Sequence, residues 1–476
     1  MCQAFRRLLL LIFFLLTTNN LVGQGISAII EGAPNQEAFW AVSVRAADGT
    51  VLEEFNPDKL IIPASNQKLY TTAAVLDGLG SDFRYATNIY GQGVLEDGIW
   101  KGDVIIQGVG DPSISGTLYE DDRFFVFRTF ADQLKDKGIT KIEGTLIADV
   151  SYFDDQVYPP GWDWYDMSFY YGVEISALSF NNNAIDLVVN ADGDLGEAPK
   201  ISWFPDNTEY VEFVNMQKIT APETEYDEYY QRDMGQNRIV LRSSLPQGYL
   251  ELESLSVFDA PTFFVDSFEK YLASEGIEIT QLEPRKKTIG GEWELLASHT
   301  SKHLSELVER VNKKSDNFYA EMLLKTLAAE KTGNPGSFEA GVKEVRHFMG
   351  ELGVDTTYVT MKDGSGMAMG NYTKTSVMSD FLVKMQTHPE FQAFKNSFPI
   401  SGVDGSLAYR MKDTALRGDF LGKTGYVTGV RTLSGYLTTA SGKTLSVSLA
   451  TNNFIGKLKP IDRVHEQILL YLYEKY

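Results

Sequence analysis

The chain has 476 residues, with 43 Lys+Arg against 64 Asp+Glu and a formal net charge of −21. That length suits roughly two to four domains at about 150 residues each, and 43% apolar with 22% charged residues is the composition of an ordinary folded protein. An acidic balance without a clustered Lys/Arg patch excludes a nucleic-acid partner and adhesion to an anionic membrane surface.

Arg6 and Arg7 precede an apolar run from Leu8 to Leu16, followed by the polar Thr17-Thr18-Asn19-Asn20. A charged start and an apolar stretch too short to span a bilayer predict a secretory signal peptide over 1–24, cleaved near Leu21 to Gln24. No later segment reaches about 18 uninterrupted apolar residues, so no transmembrane segment is expected. The single cysteine, Cys2, lies ahead of the apolar run. An exported chain without it holds no disulfide, and cysteine catalysis and thiolate metal ligation are excluded.

Phe39–Val44 and Thr50–Phe55 alternate around Asp48-Gly49, which predicts a β-hairpin with a type I′ turn. Pro63 then opens a helix running from Ala64 to about Leu79. From about Tyr85 to Gly290 the pattern changes to short strand-like runs, among them Asp103–Gln107, Thr145–Asp149 and Ile185–Val189. Aromatic and turn-rich patches lie at Tyr158–Tyr171, Trp203–Tyr210 and Tyr226–Tyr230. The interval 85–290 therefore reads as one or two mostly β domains, the second possibility being a nested pair. Helical periodicity returns at Leu304-Leu307-Val308-Val311 and over Phe318–Ala329. Strands at Thr432–Thr438 and Thr444–Ala450 and a helix from about Pro460 to Tyr476 end the chain. The two chain ends are expected to meet in one α/β domain, 25–84 plus 291–476, with 85–290 as an excursion.

Three short motifs carry chemistry. In Ser65-Asn66-Gln67-Lys68, Ser and Lys at i and i+3 share a helix face, beside the free N–H groups of a helix start. A lysine in a dry site near another cation loses basicity and can take the serine proton. Ser315-Asp316-Asn317 supplies a hydroxyl for proton relay and an amide that can hold a substrate amide. Lys423-Thr424-Gly425, followed by Tyr426, supplies two groups that bind a carboxylate and a glycine that permits close backbone approach. Each motif alone is more often a helix cap or surface charge, and each has a second copy: Ser267–Lys270, Ser179–Asn181 and Lys331–Gly333. Ser267 and Lys270 read as a solvated helix face, and Gly333 reads as a helix C-cap.

In order and context, the set Ser-x-x-Lys, Ser-x-Asn, Lys-Thr-Gly is the signature of the penicillin-binding protein and serine β-lactamase superfamily. The long interval between the first two motifs resembles the class C low-molecular-mass penicillin-binding proteins, the D-alanyl-D-alanine carboxypeptidase/endopeptidase family, in which two domains are inserted there. Class A β-lactamases resemble it poorly, because their first two motifs lie much closer together. Gly108–Pro112, Pro160-Gly161-Trp162 with Trp164 and Asp166, Asp363–Gly366 and Gly402–Gly405 are similar to the family as well. Met367–Gly370 departs from the family pattern, which is more polar there.

The resemblance implies an α/β fold: a transpeptidase domain with an antiparallel sheet flanked by helices, and inserted mostly β domains. It implies Ser65 as the acylated nucleophile, Lys68 as general base and Ser315 as the relay to the departing D-alanine amine. Asn317 would orient the acyl donor, Lys423 tune the electrostatics near Ser315 and Thr424 hold the terminal carboxylate. Beside Gly425, the N–H groups of Ser65 and Tyr426 would form the oxyanion hole. Asp166 would meet the far end of the stem-peptide side chain, with a turn or cap as the equal alternative. Peptidoglycan stem peptides and β-lactams are the expected partners, the periplasm the expected location, and no cofactor is needed. His299 and His303, at i and i+4, suit a metal on a helix but lack a third ligand, so no metal site is expected. The alternatives are a β-lactamase with fast deacylation and a catalytically idle wall-binding module.

Overall fold

A computed structural model describes residues 25–206, 208–286 and 292–476. The signal-peptide reading of 1–24 lies outside the described residues. The chain divides into two compact units. The first comprises the described residues up to Ser81, with Val308–Asp316 and Val342–Tyr476; the second comprises Asp82–Leu307 and Asn317–Gly341.

The first unit is built on a five-stranded antiparallel sheet. Its strands are β1 (Phe39–Ala46), β2 (Val51–Phe55), β3 (Phe420–Val427), β4 (Val430–Thr438) and β5 (Thr444–Asn452), in the order β3-β4-β5-β1-β2. The N-terminal hairpin thus pairs with the strand Thr444–Asn452, joining the two ends of the chain in one sheet. The hairpin turn differs from expectation. Gly49 has φ +87 while Asp48 is not in the left-handed region, and the register shifts between Val44 and Arg45. A type I′ turn needs both central residues left-handed, so this turn closes with a bulge instead.

Strand alternation sorts the sheet into two faces. Trp40, Val42, Val44, Leu433, Leu437, Val447 and Leu449 share a core with Ile461, Val464, Ile468 and Leu472. The latter four lie on the closing helix Leu458–Lys475. On the opposite face, Lys423, Ser434, Ser448 and Ser43 form one cross-strand row. This buried row is polar, and its members pair: Ser434 Oγ donates to Ser448 Oγ (3.0 Å), and Ser43 Oγ shares a hydrogen bond with Ser379 Oγ of the helix Thr375–Met385 (2.8 Å). Pro63 precedes a short 3₁₀ turn, Ala64–Gln67, which runs into the helix Lys68–Leu79.

The second unit holds another five-stranded sheet, in which Ala86–Glu96, Ile99–Gln107, Lys141–Asp149, Glu278–Lys286 and Glu294–Thr300 pair. It also holds a three-stranded sheet of Leu250–Ser256, Ala184–Asn190 and Lys200–Phe204. Two helices, Phe125–Asp136 and Ala260–Ser274, pack their aromatic residues into its core. Its bounds differ from the expected 85–290. Glu294–Thr300 pairs with Ala86–Glu96, and in the helix Asn317–Thr332 Thr326 Oγ1 accepts the Tyr85 hydroxyl (2.9 Å), so these later segments fold with the unit of Ala86.

Candidate active site

The 3₁₀ turn that carries Ser65 is tied to neighbouring segments by hydrogen bonds. Ser65 lies in the 3₁₀ turn and is partly exposed, while Lys68, one turn on, is fully buried. Lys68 Nζ donates to Ser65 Oγ (3.0 Å) and to the carbonyl of Ser365 (2.7 Å). The loop that supplies this carbonyl is itself held tightly. Asp363 Oδ1 accepts from Gly366 N (2.8 Å), Asn371 Nδ2 (2.9 Å) and Gln67 Nε2 (3.0 Å), and Oδ2 accepts from Ala368 N (2.7 Å). Thr71 Oγ1 donates to Gly364 O (2.7 Å). Gly366 has φ +83, and a Cβ there would overlap the Ala64 carbonyl, so the loop lies directly on the turn that carries Ser65.

The third motif lies on β3. Lys423 Nζ donates to Ser315 Oγ (2.7 Å) and to Thr424 O (2.9 Å), and the side chain is fully buried. Burial pushes the Lys423 ammonium well below its ordinary pKa, and the nearby charges of Lys68 and then Arg431 push in the same direction. Thr424 Oγ1 donates to Ser406 Oγ (2.7 Å). A Cβ on Gly425 would stand 3.0 Å from both Ser65 N and Pro63 O, so β3 passes against the backbone at Ser65. Tyr426 follows and is exposed. The Asn66 amide stitches the turn to the sheet: its oxygen accepts from Ser434 N (3.1 Å) and its nitrogen donates to Lys423 O (2.8 Å).

Ser315 takes φ +60 at the end of the helix Leu304–Lys314. That end is anchored from both sides. Lys313 pairs with Asp404 (2.7 Å), Arg310 pairs with Asp316 (3.0 Å), and Asn312 Nδ2 donates to Ser397 Oγ (2.8 Å) and Thr72 Oγ1 (3.2 Å). The structure therefore brings Ser65, Lys68, Ser315, Lys423, Thr424 and Gly425 together in the first unit. Asn317 and Asp166 belong to the second. There Asn317 Nδ2 donates to Tyr171 O (3.0 Å). Asp166 sits in a turn, its carboxyl raised by burial and by Asp163 against the opposing Tyr171 hydroxyl.

The second copies of the motifs have structural roles. Ser267 is buried rather than on a solvated face, and Lys270 pairs with Asp266 (3.0 Å). Asn181 is a left-handed residue bonded to Ala184 O, and Gly333 caps its helix through Ala329 O. His299 and His303 do not share a helix. His299 lies in the strand Glu294–Thr300 bonded to the Tyr119 hydroxyl (3.0 Å), and His303 stands beside Arg84 ahead of the next helix. Strand pairing with Ala86–Glu96 overrides their helical spacing. Sequence reasoning missed Asn66, Gln67, Asp363, Ser406 and Asp404 as site supports. The Asp-Gly-Ser-Gly and Gly-Val-Asp-Gly segments were visible, but which groups they touch was not.

The chain matches the D-Ala-D-Ala carboxypeptidase 3 (S13) family over residues 22–470. It belongs to that family. It is 31% identical over 461 residues to a D-alanyl-D-alanine carboxypeptidase of Actinomadura sp. strain R39, covering 91% of this chain and 81% of that protein. It is 26% identical to the D-alanyl-D-alanine carboxypeptidase DacB of Haemophilus influenzae, covering 90% and 88%. The crystal structure of penicillin-binding protein 4 (dacB) from the same organism superposes with a TM-score of 0.82 at 25% identity, covering 94% of this chain and 98% of that one. As an S13 chain it has the α/β penicillin-binding-protein fold and is a serine-type D-Ala-D-Ala peptidase.

Proposed function

We propose that this S13 peptidase cleaves peptidoglycan stem peptides through an acyl-enzyme on Ser65. The observation that carries the reading is the pair of buried lysines, one bonded to Ser65 Oγ and the other to Ser315 Oγ. Two ammonium groups held out of water in mutual reach disfavour double protonation, so one amine is available as a base. Lys68 Nζ takes the Ser65 proton as Oγ attacks the carbonyl carbon of the penultimate D-alanine. The N–H groups of Ser65 and Tyr426 hold the oxyanion. The C–N bond then breaks as Ser315 gives its proton to the departing D-alanine amine and takes one from the Lys68 ammonium, which frees the Lys68 amine again. Water attacks the ester, gives up its proton to the same base and regenerates Ser65. Asn317 orients the acyl donor, Thr424 holds the terminal carboxylate, and Lys423 tunes the electrostatics near Ser315. Asp166 meets the far end of the stem-peptide side chain. A β-lactam opens its ring on the same serine.

In this reading the first unit carries the acyl-transfer chemistry, the second unit, Asp82–Leu307 with Asn317–Gly341, stands where the insertion at 85–290 was expected, and the protein is exported to the periplasm. Among the described residues no helix is long and apolar enough to cross a membrane. The test is labelling of the exported chain with a fluorescent penicillin, alongside D-alanine release from a pentapeptide ending in D-Ala-D-Ala. A long-lived adduct and D-alanine release, both lost in Ser65→Ala, are expected. Absence of label on the native protein overturns the reading, and rapid turnover of penicillin would make the protein a β-lactamase instead.

A further inference from the structure

The second unit carries a cleft of about 470 Å³ with no part in the acyl-transfer chemistry. This volume falls within the range of small-molecule sites, roughly 300–1,000 Å³. Its floor is one face of the three-stranded sheet. Register places Ser254, Asp186 and Phe204 in one cross-strand row, and Leu252, Val188 and Ser202 in the next. The first row, with Arg123, is a prearranged polar network. Asp186 pairs with Arg123, accepts Asn181 Nδ2 on Oδ2 (3.1 Å) and accepts Ser254 Oγ on Oδ1 (2.5 Å). Arg123 Nη1 also donates to Asn181 Oδ1 (2.8 Å), and the guanidinium lies over the Phe204 ring, 5.2 Å from its centroid.

Two features of this network point to a ligand. Arg123 uses only Nη1, leaving Nε and Nη2 without a partner among the described residues. Asn181 is the first of three consecutive left-handed asparagines, at φ 47, 53 and 55, a conformation that side chains with a Cβ seldom take in succession. That turn presents both ends of the Asn181 amide to Arg123 and Asp186. The neighbouring row is apolar at its rim, where Leu252 stands 69% exposed.

Charge narrows the ligand class. Arg123 is matched by Asp186, and Glu253 on the lining leaves the cleft with one acid in excess, so an anion gains little there. The cleft instead offers donors and acceptors along one row and an apolar surface along the next. A pyranose presents the same division, with C–H groups on its faces and hydroxyl or acetamido groups around its edge. We propose that this cleft binds N-acetylated hexosamine rings of the glycan strand from which the stem peptides hang. The assignment of that polymer rests on the DD-peptidase reading above.

The test uses the exported chain and tetra-N-acetylchitotetraose, titrated by calorimetry or NMR. Saturable binding is expected, weakened about ten-fold or more by Ser202→Trp, which fills the cleft, and by Leu252→Arg at its exposed rim. Both variants should release D-alanine from a free pentapeptide at the native rate, yet lose rate on glycan-linked stem peptides. Absence of saturable binding to the native chain overturns the proposal, as does binding by both variants with the native affinity. Saccharide binding by a chain that takes no penicillin label would support the cleft and remove the peptidase reading, so the two failures are distinct.

Discussion

Lys423 Nζ and Ser315 Oγ lie 2.7 Å apart across 108 residues of chain. The contact joins a buried sheet lysine to a serine held in a left-handed conformation at a helix end. Because both lysines are buried, electrostatic coupling between Lys423, Ser315 and Lys68 is little screened by water. Lys423→Ala is expected to slow acylation by penicillin by about 10²–10³-fold, in the range of losing one preorganised electrostatic group. Lys423→Arg should not rescue it, since the larger planar group has no room in a fully buried slot. Second-order acylation rates from stopped-flow labelling measure both.

Gly425 is where β3 meets the Ser65 backbone. A methyl group there overlaps Thr432 Oγ1 and crowds Ser65 N and Pro63 O. Gly425→Ala should therefore displace β3 from the 3₁₀ turn, at about 1–3 kcal/mol of stability. The acylation rate should fall by at least about ten-fold more than in Gly422→Ala, where the added methyl meets the Phe420 ring on the same strand rather than the Ser65 backbone. Denaturant midpoints and labelling rates separate the two effects.

Asp363 touches no substrate in the proposed mechanism, yet four donors converge on it. Asp363→Ala leaves buried N–H groups of Gly366 and Ala368 unsatisfied, each at about 1–3 kcal/mol. The Ser365 carbonyl then loses its fixed place against Lys68. The expected result is a lowered melting temperature with a shifted pH–rate profile for acylation. Asp363→Asn, which keeps an acceptor on the loop, should recover part of both.

A buried chain in the second unit runs from Asp111 through Ser113 and the Tyr119 hydroxyl to His299, at 2.7, 3.3 and 3.0 Å. Burial raises Asp111 to about 6, against the Ser113 hydrogen bonds, and lowers His299 to about 4. Between pH 6.5 and 4 an unfolded histidine takes up a proton that folded His299 refuses, so acidification destabilises the fold through this group. Between pH 6 and 3.8 folded Asp111 holds a proton that the unfolded chain releases, so acidification acts in the opposite sense. Each amounts to roughly 3 kcal/mol, and they nearly cancel. Asp111→Asn should uncover the histidine, with stability falling from pH 6.5 to 4. His299→Gln should uncover the aspartate, with stability rising over pH 6 to 4. Urea midpoints across that range report the slopes.

The local signals in the chain were strong where they depend on neighbours in sequence. Pro63 before an apolar-periodic run marks a helix start, and Ser65 with Lys68 one turn later is a local fact of helix geometry. The strands at 432–438 and 444–450 and the closing helix were legible for the same reason. The family pattern added the order of three motifs. What the sequence could not decide is which contacts close over hundreds of residues. Ser267 and Lys270 repeat the first motif, and only burial and the Asp266 pair assign that copy to a helix core. His299 looked helical beside His303 until strand pairing with Ala86–Glu96 claimed it. The supports of the site, from Asp363 under Gln67 to Asn66 against Lys423 O, carry no short-range signature. Chain composition and periodicity report on a residue's immediate neighbours, whereas a buried polar group is satisfied by whichever distant donor the packed fold delivers.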